Sequence, residues 1–129
     1  MMTKQEIYDK VCAHLAQQKT RSMKDGACAY RGDDGKMCAV GCLIPARMYR
    51  KRMEKDEDGM PGCPVNQLFR LFPAVKSLLG SEHIDLLTEL QDNHDFKPSP
   101  TDPIQPRLVR IAKRNGITPG AEQAITEWN

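Results

Sequence analysis

The sequence predicts a small α+β domain, mainly helical, with one β-hairpin at about residues 27–44 packed on the helices. Three observations carry that prediction. Most of the chain repeats its apolar residues at helical spacing. The stretch from Cys28 to Pro45 instead sets Asp33-Asp34-Gly35 between two apolar runs, which is a hairpin signal. At 129 residues the chain is long enough for one core.

The first helix opens on Thr3-Lys-Gln-Glu6, a capping box in which side chains satisfy free amides of the first turn. Ile7, Tyr8, Val11, Cys12 and Leu15 share one face, and the helix runs to about Gln18. A polar stretch, Lys19 to Gly26, leads into the hairpin. A three-residue loop pairs Gly32 with Lys36 and sets the left-handed position on Gly35. Cys28, Tyr30, Cys38, Val40, Cys42 and Ile44 then share one face, and a one-residue slip would scatter them. A lone hairpin is marginal, so this face requires a cover, expected from the first helix and the Glu82 helix.

Pro45 suits a first helical position, and Ala46 to Lys55 reads as a short helix with Tyr49 and Met53 inward. Asp56 to Pro64 is an acidic loop with Gly and Pro. Val65 to Phe72 and Ala74 to Leu79 read as short helices broken at Pro73. Ser81 is placed to cap a helix from Glu82 to about His94, with Ile84, Leu87 and Leu90 as its apolar stripe. Pro98, Pro100, Pro103 and Pro106 make residues 96–106 a stiff connector. A helix from about Pro106 to Asn115 and a last one from about Pro119 to Trp128 complete the chain. The expected division is a core at 1–95, the connector at 96–106 and a C-terminal arm at 107–129. The arm docks on the same domain in a monomer, or on a neighbouring subunit in an oligomer, and the sequence leaves both open.

Composition places the protein in a reducing, intracellular setting. There is no apolar N-terminal run and no stretch long enough to span a membrane. Five cysteines are an odd number in no disulfide framework. Cys28, Cys38, Cys42 and Cys63 contain one loose pair where zinc modules carry two close ones. Along a strand Cys38 and Cys42 stand about 13 Å apart. Two thiolates on one zinc lie within roughly 4 Å of each other. A sharp turn at Val40-Gly41 would be needed to bring them together, so the thiols read as small apolar fillers with no metal or cofactor assigned.

The formal net charge is only +2, which excludes a bulk polyelectrolyte binder, but the charges are clustered. Glu82, Asp85, Glu89 and Asp92 form an acidic stripe, and Arg107, Arg110 and Arg114 a basic one with Lys113 beside it. The two stripes are solvated faces, mutually attracting partners, or contacts for a ligand. Residues 44–55 hold five basic side chains against one acid. Arg31, Arg47, Arg50 and Arg52 are candidates for an anion site, since a guanidinium fork holds two phosphate oxygens, with Tyr30 stacking on a base. Catalytic patterns are missing: no glycine-rich phosphate loop, no nucleophile elbow and no HExxH. His83 and His94 share a helix face but stand about 16 Å apart.

Tyr30-Arg31-Gly32, Asp34-Gly35, Cys38-Ala-Val-Gly-Cys-Leu-Ile-Pro45 and Met48-Tyr49, with Leu86-Leu87, Leu90-Gln91 and His94-Asp95 downstream, resemble a family of small uncharacterised proteins of tailed bacteriophages, prophages and some bacteria. The resemblance covers roughly residues 20–95. Family members carry acidic residues after the Ile-Pro, where this chain has Ala46-Arg47, so a shared site there would have its charge inverted. The resemblance implies a phage or mobile-element protein of the bacterial host cytoplasm that works by binding. The leading expectation is a non-catalytic protein with a protein partner, inhibiting or sequestering a host defence or regulatory factor. The alternatives are a binder of a small anionic ligand such as a signalling nucleotide, a nucleic-acid contact through Arg107, Arg110 and Arg114, and a zinc-stabilised module.

Overall fold

The computed structural model describes residues 2–95 and 97–129. Met1 and Phe96, the first residues of the expected core and connector, lie outside that description. The fold is α+β and mainly helical: α1 (Lys4–Gln18), β1 (Met23–Lys24), β2 (Ala27–Cys28), α2 (Val65–Leu71), α3 (Pro73–Leu79), α4 (Ile84–Asp95) and α5 (Ile104–Arg114). The capping box is formed, with Glu6 N–H on Thr3 Oγ1 and Thr3 N–H on Glu6 Oε1. Ile7, Tyr8, Val11, Cys12 and Leu15 are all buried, as their spacing requires. Phe72 is where α2 gives way to α3, with Pro73 in the first turn of the second helix.

The hairpin differs from expectation. The two-stranded antiparallel sheet is β1–β2, with Met23 opposite Cys28 and Lys24 opposite Ala27. Its turn is Asp25-Gly26, both at positive φ (52° and 80°), the two-residue geometry whose twist matches paired strands. The expected Asp33-Asp34-Gly35 loop is present in the expected register: Gly32 N–H bonds Lys36 O, Arg31 bridges Met37, and Gly35 is left-handed. The pairing stops there. Val40 turns into the right-handed helical region, Gly41–Leu43 forms a 3-10 turn, and Cys42 N–H bonds Cys38 O. Residues 38–44 are therefore a helical turn where a strand was expected. Gly41 packs against the carbonyl of Tyr30 so closely that any Cβ there would overlap it.

Both expected covers hold this turn. The Gln18 amide of α1 exchanges two hydrogen bonds with the backbone of Met37, as a neighbouring strand would. Gln91 of α4 accepts the Val40 N–H at 3.1 Å.

Three further segments differ. Ala46 to Lys55 is no helix: Arg50 is extended and Lys51–Glu54 is a 3-10 turn, because Glu54 is drawn inward as described below. Helix α5 starts at Ile104, earlier than Pro106, which is tolerated because amides of a first turn have no helical partner. Pro119 to Trp128 contains only the 3-10 turn Ala121–Ala124. Its end is extended because Asn129 pairs with Lys19 and Arg21. The C-terminal arm docks on its own chain. Ile104, Leu108, Ile111, Ile117, Ile125 and Trp128 join Ile7, Leu15, Leu87 and Leu90 in one apolar core.

Candidate functional site

The Tyr30-Arg31-Gly32 string and the Cys38–Pro45 turn meet around one carboxylate. Glu54 accepts the backbone N–H groups of Tyr30 and Arg31, both at 2.9 Å, and the hydroxyl of Tyr49 at 2.6 Å. With three donors its charge is matched where it sits. The Arg31 guanidinium folds over the Tyr49 ring, 5.1 Å from its centre, and donates to the carbonyls of Gly41 and Ile44. The Gly41 carbonyl already accepts the Ile44 N–H inside the turn, whereas the Ile44 carbonyl lies at its end, where a short helical turn leaves acceptors without a helical partner. Arg31 thus acts as a cap for the Cys38–Pro45 turn. Tyr30 is 4% exposed, with its hydroxyl on the carbonyl of Cys63. Burial, and then the thiols of Cys38 and Cys63, push its ionisation far above the ordinary tyrosine value. Tyr30 and Arg31, two of the five residues expected to grip a nucleotide, are thus built into the scaffold.

The other arginines divide in two. Arg107 bonds Asp102 and Asn93, at 3.1 and 2.9 Å, and Arg110 reaches the same Asp102 at 3.4 Å. Arg114 is paired with Glu89. One pair, Arg114–Glu89, therefore joins the basic stripe to the acidic one across the α4–α5 contact, while Arg107 and Arg110 meet Asp102, outside the acidic stripe. Arg47, Arg50 and Arg52 differ. They are exposed, together with Lys51 and Lys55, and among the described residues none of the five makes an ion pair. Arg50 donates to the carbonyls of Arg47 and Tyr49, and Arg52 to that of Lys55, which holds their charges on the surface in fixed positions. The nearby acidic loop does not neutralise them. Asp56 accepts the amides of Asp58 and Met60, and Glu57 is paired with Arg70.

Glu54 also lines a cleft of about 310 Å³ between β2, the Gly62–Val65 segment and α4. Cys28, Cys38 and Cys63 line it with Asp92 and Asp95. Burial raises all three thiols, Cys28 and Cys63 to about 11 and Cys38 well above its ordinary value. They are protonated at neutral pH and are poor nucleophiles. Cys38 Sγ accepts the Gly41 N–H at 3.2 Å, and the Cys42 thiol donates to Ala39 O at 3.0 Å. The chain does turn sharply at Val40-Gly41, yet both sulfurs are engaged by the turn itself.

The fold also brings together Cys28, His94 and Asp95, with donor atoms within 4.8 Å of one another. Sequence reasoning took His83 and His94 only as two residues too far apart to act together, and missed this group. The neighbouring His94-Asp95 pair stood in the sequence, but nothing in the spacing tied Cys28 to it. Gln91 Nε2 and His94 Nδ1 both reach Asp95 Oδ1 at 2.8 Å. The Ser22 N–H points at His94 Nε2, 3.1 Å away, so that nitrogen is an acceptor. A neutral ring then carries its proton on Nδ1 and donates it to Asp95. It offers neither an ion nor the Cys28 thiol a lone pair at Nδ1. Trp128 meets the ring edge-on at 5.4 Å. This arrangement ties α4, Ser22 just before β1 and the C-terminal segment together.

No family model, curated protein or solved structure matches this chain.

Proposed function

We propose that the protein is a non-catalytic binding protein that contacts an acidic surface of a protein partner through residues 47–55. The observation that carries this reading is the set of five exposed cations, Arg47, Arg50, Lys51, Arg52 and Lys55, unpaired among the described residues and carried on a segment braced by Glu54. Surface cations with no internal partner steer association and select partners more than they stabilise a fold. The thiols are held protonated and His94 is engaged by hydrogen bonds, which supports a role in binding over one in chemistry. The pairing of Arg107, Arg110 and Arg114 with acids favours a protein contact over nucleic acid. Among the described residues no helix is long and apolar enough to cross a membrane. The resemblance of the hairpin string supports a phage or mobile-element protein acting in the bacterial cytoplasm on a host defence or regulatory factor.

The test is affinity capture from host lysate with the wild-type protein and the Arg47→Glu/Arg50→Glu/Arg52→Glu variant side by side. All three side chains are exposed, so the variant is expected to melt within a few degrees of wild type. The expected result is a specific host protein retained by wild type and lost at least tenfold by the variant. Equal recovery by both proteins would remove this segment as the contact.

A further inference from the structure

We propose that a pocket beside the basic segment receives one apolar side chain from an acidic stretch of the partner protein. The proposal rests on the reading of residues 47–55 given above and names what the partner must present. The pocket, of about 240 Å³, lies between the β1–β2 hairpin and the Lys51–Glu54 turn. Ala27, Ala29, Tyr49 and Pro61 give it largely apolar walls. Its charged lining is Lys24, Lys51 and Lys55, with Asp25 from the hairpin turn as the opposing acid. Glu54 also lines it, but both its oxygens already accept hydrogen bonds from within the scaffold.

Two observations define the occupant. The volume is below the ~300–1,000 Å³ of pockets that hold drug-sized ligands, so it suits a single side chain better than a nucleotide. Next to Pro61, Met60 is 60% exposed, one of two large apolar residues left open to solvent among the described residues. An exposed methionine beside an apolar pocket ringed by lysines is the composition of an interface centre, with methionine adapting to what it covers. A partner segment with an aromatic or aliphatic residue flanked by aspartates or glutamates complements all three features: pocket, methionine and cations.

The experiment is a ¹⁵N NMR titration of the full chain with two capped pentapeptides, Asp-Asp-Phe-Asp-Asp and Asp-Asp-Ser-Asp-Asp. The expected result is shifts at the amides of Ala27, Ala29 and Gly62 with the phenylalanine peptide, and a Kd at least tenfold below that of the serine peptide. Ala27→Leu, which narrows the pocket, should abolish that advantage while leaving the serine peptide's weaker binding in place. The wild-type comparison decides the matter even if that variant fails to fold. Equal affinity for the two peptides overturns the pocket proposal and leaves the charged contact standing. Binding of neither peptide overturns the pocket proposal, and the capture experiment with the charge-reversed variant then judges the surface separately. Light scattering over a concentration series covers the remaining occupant. A dimer that Arg47→Glu/Arg50→Glu/Arg52→Glu dissolves would place a second copy's acidic stripe on this face and overturn the proposal.

Discussion

Arg31 shows how a side chain with the chemistry of a phosphate ligand can serve as internal bracing. Its fork meets the carbonyls of Gly41 and Ile44, its plane covers Tyr49, and its own N–H rests on Glu54. Lysine keeps the charge but has neither the fork nor the flat face. Arg31→Lys is therefore expected to cost about 1–3 kcal/mol, the range for losing a charge-assisted hydrogen bond and leaving a part-buried carbonyl open. Arg47→Lys, on the exposed segment, is expected to stay within about 0.5 kcal/mol of wild type. Urea denaturation of the two variants separates scaffold arginines from surface ones. A result with the two reversed would return Arg31 to the list of ligand contacts. Nothing in the pattern of charges distinguishes these arginines before folding. The difference arises from Glu54, one acid among five bases, which is drawn inward and takes the turn with it.

At the scale of the element, helices were legible where apolar spacing and caps agreed. Helix α1 follows Thr3, Glu6 and its five-residue face almost residue for residue, and Pro73 separates α2 from α3 as its ring dictates. The hairpin was half legible. The Asp33–Gly35 loop took its predicted register, but the strand beyond it did not form. Alternation at Cys38, Val40 and Cys42 looked like a strand because a tight helical turn buries Cys38, Ala39, Val40 and Gly41 together, which period two cannot express. The actual sheet turned on Asp25-Gly26, a strong turn pair hidden in a polar stretch whose strands are two residues each. The Cys28, His94 and Asp95 grouping was not legible, since it depends on how α4 lies over β2. Gly41 is where the turn can be tested. Gly41→Ala forces the Tyr30 carbonyl to move and should destabilise the protein by about 2 kcal/mol or more. Gly35→Ala suffers only left-handed strain in open space, about 1 kcal/mol. Thermal melts of both variants check the order, and an equal loss would mean that Gly41 is not under steric pressure.

For the whole molecule, closure depends on a buried carboxylate far along the chain. Glu122 accepts the Tyr8 hydroxyl at 2.6 Å, the Gly120 N–H at 2.8 Å and the Gln123 amide at 3.0 Å. Burial raises its ionisation, but these donors together outweigh it and hold the group below the ordinary glutamate value of 4.5. A lowered folded value means that the native state releases the proton more readily than the unfolded chain. The contribution is thus complete above about pH 4.5 and is lost as pH falls through the folded value. Glu122→Gln should be less stable than wild type at pH 7, and the gap should narrow as pH is lowered below 4.5. Urea midpoints at pH 7, 5 and 3.5 measure it, and a gap independent of pH would show that the charge itself contributes nothing.

That same bond joins residues 114 apart in the chain. During synthesis, α1 emerges from the ribosome with its apolar face complete, and although the Cys38–Pro45 turn can cover part of it early, the rest waits for the Ala121–Ala124 turn. Contacts of such separation close slowly, because the intervening loop must give up its freedom before they form. Throughout that interval part of the α1 apolar face is open to any hydrophobic groove nearby. The nascent chain is thus a candidate client for a chaperone until its two distant segments have met.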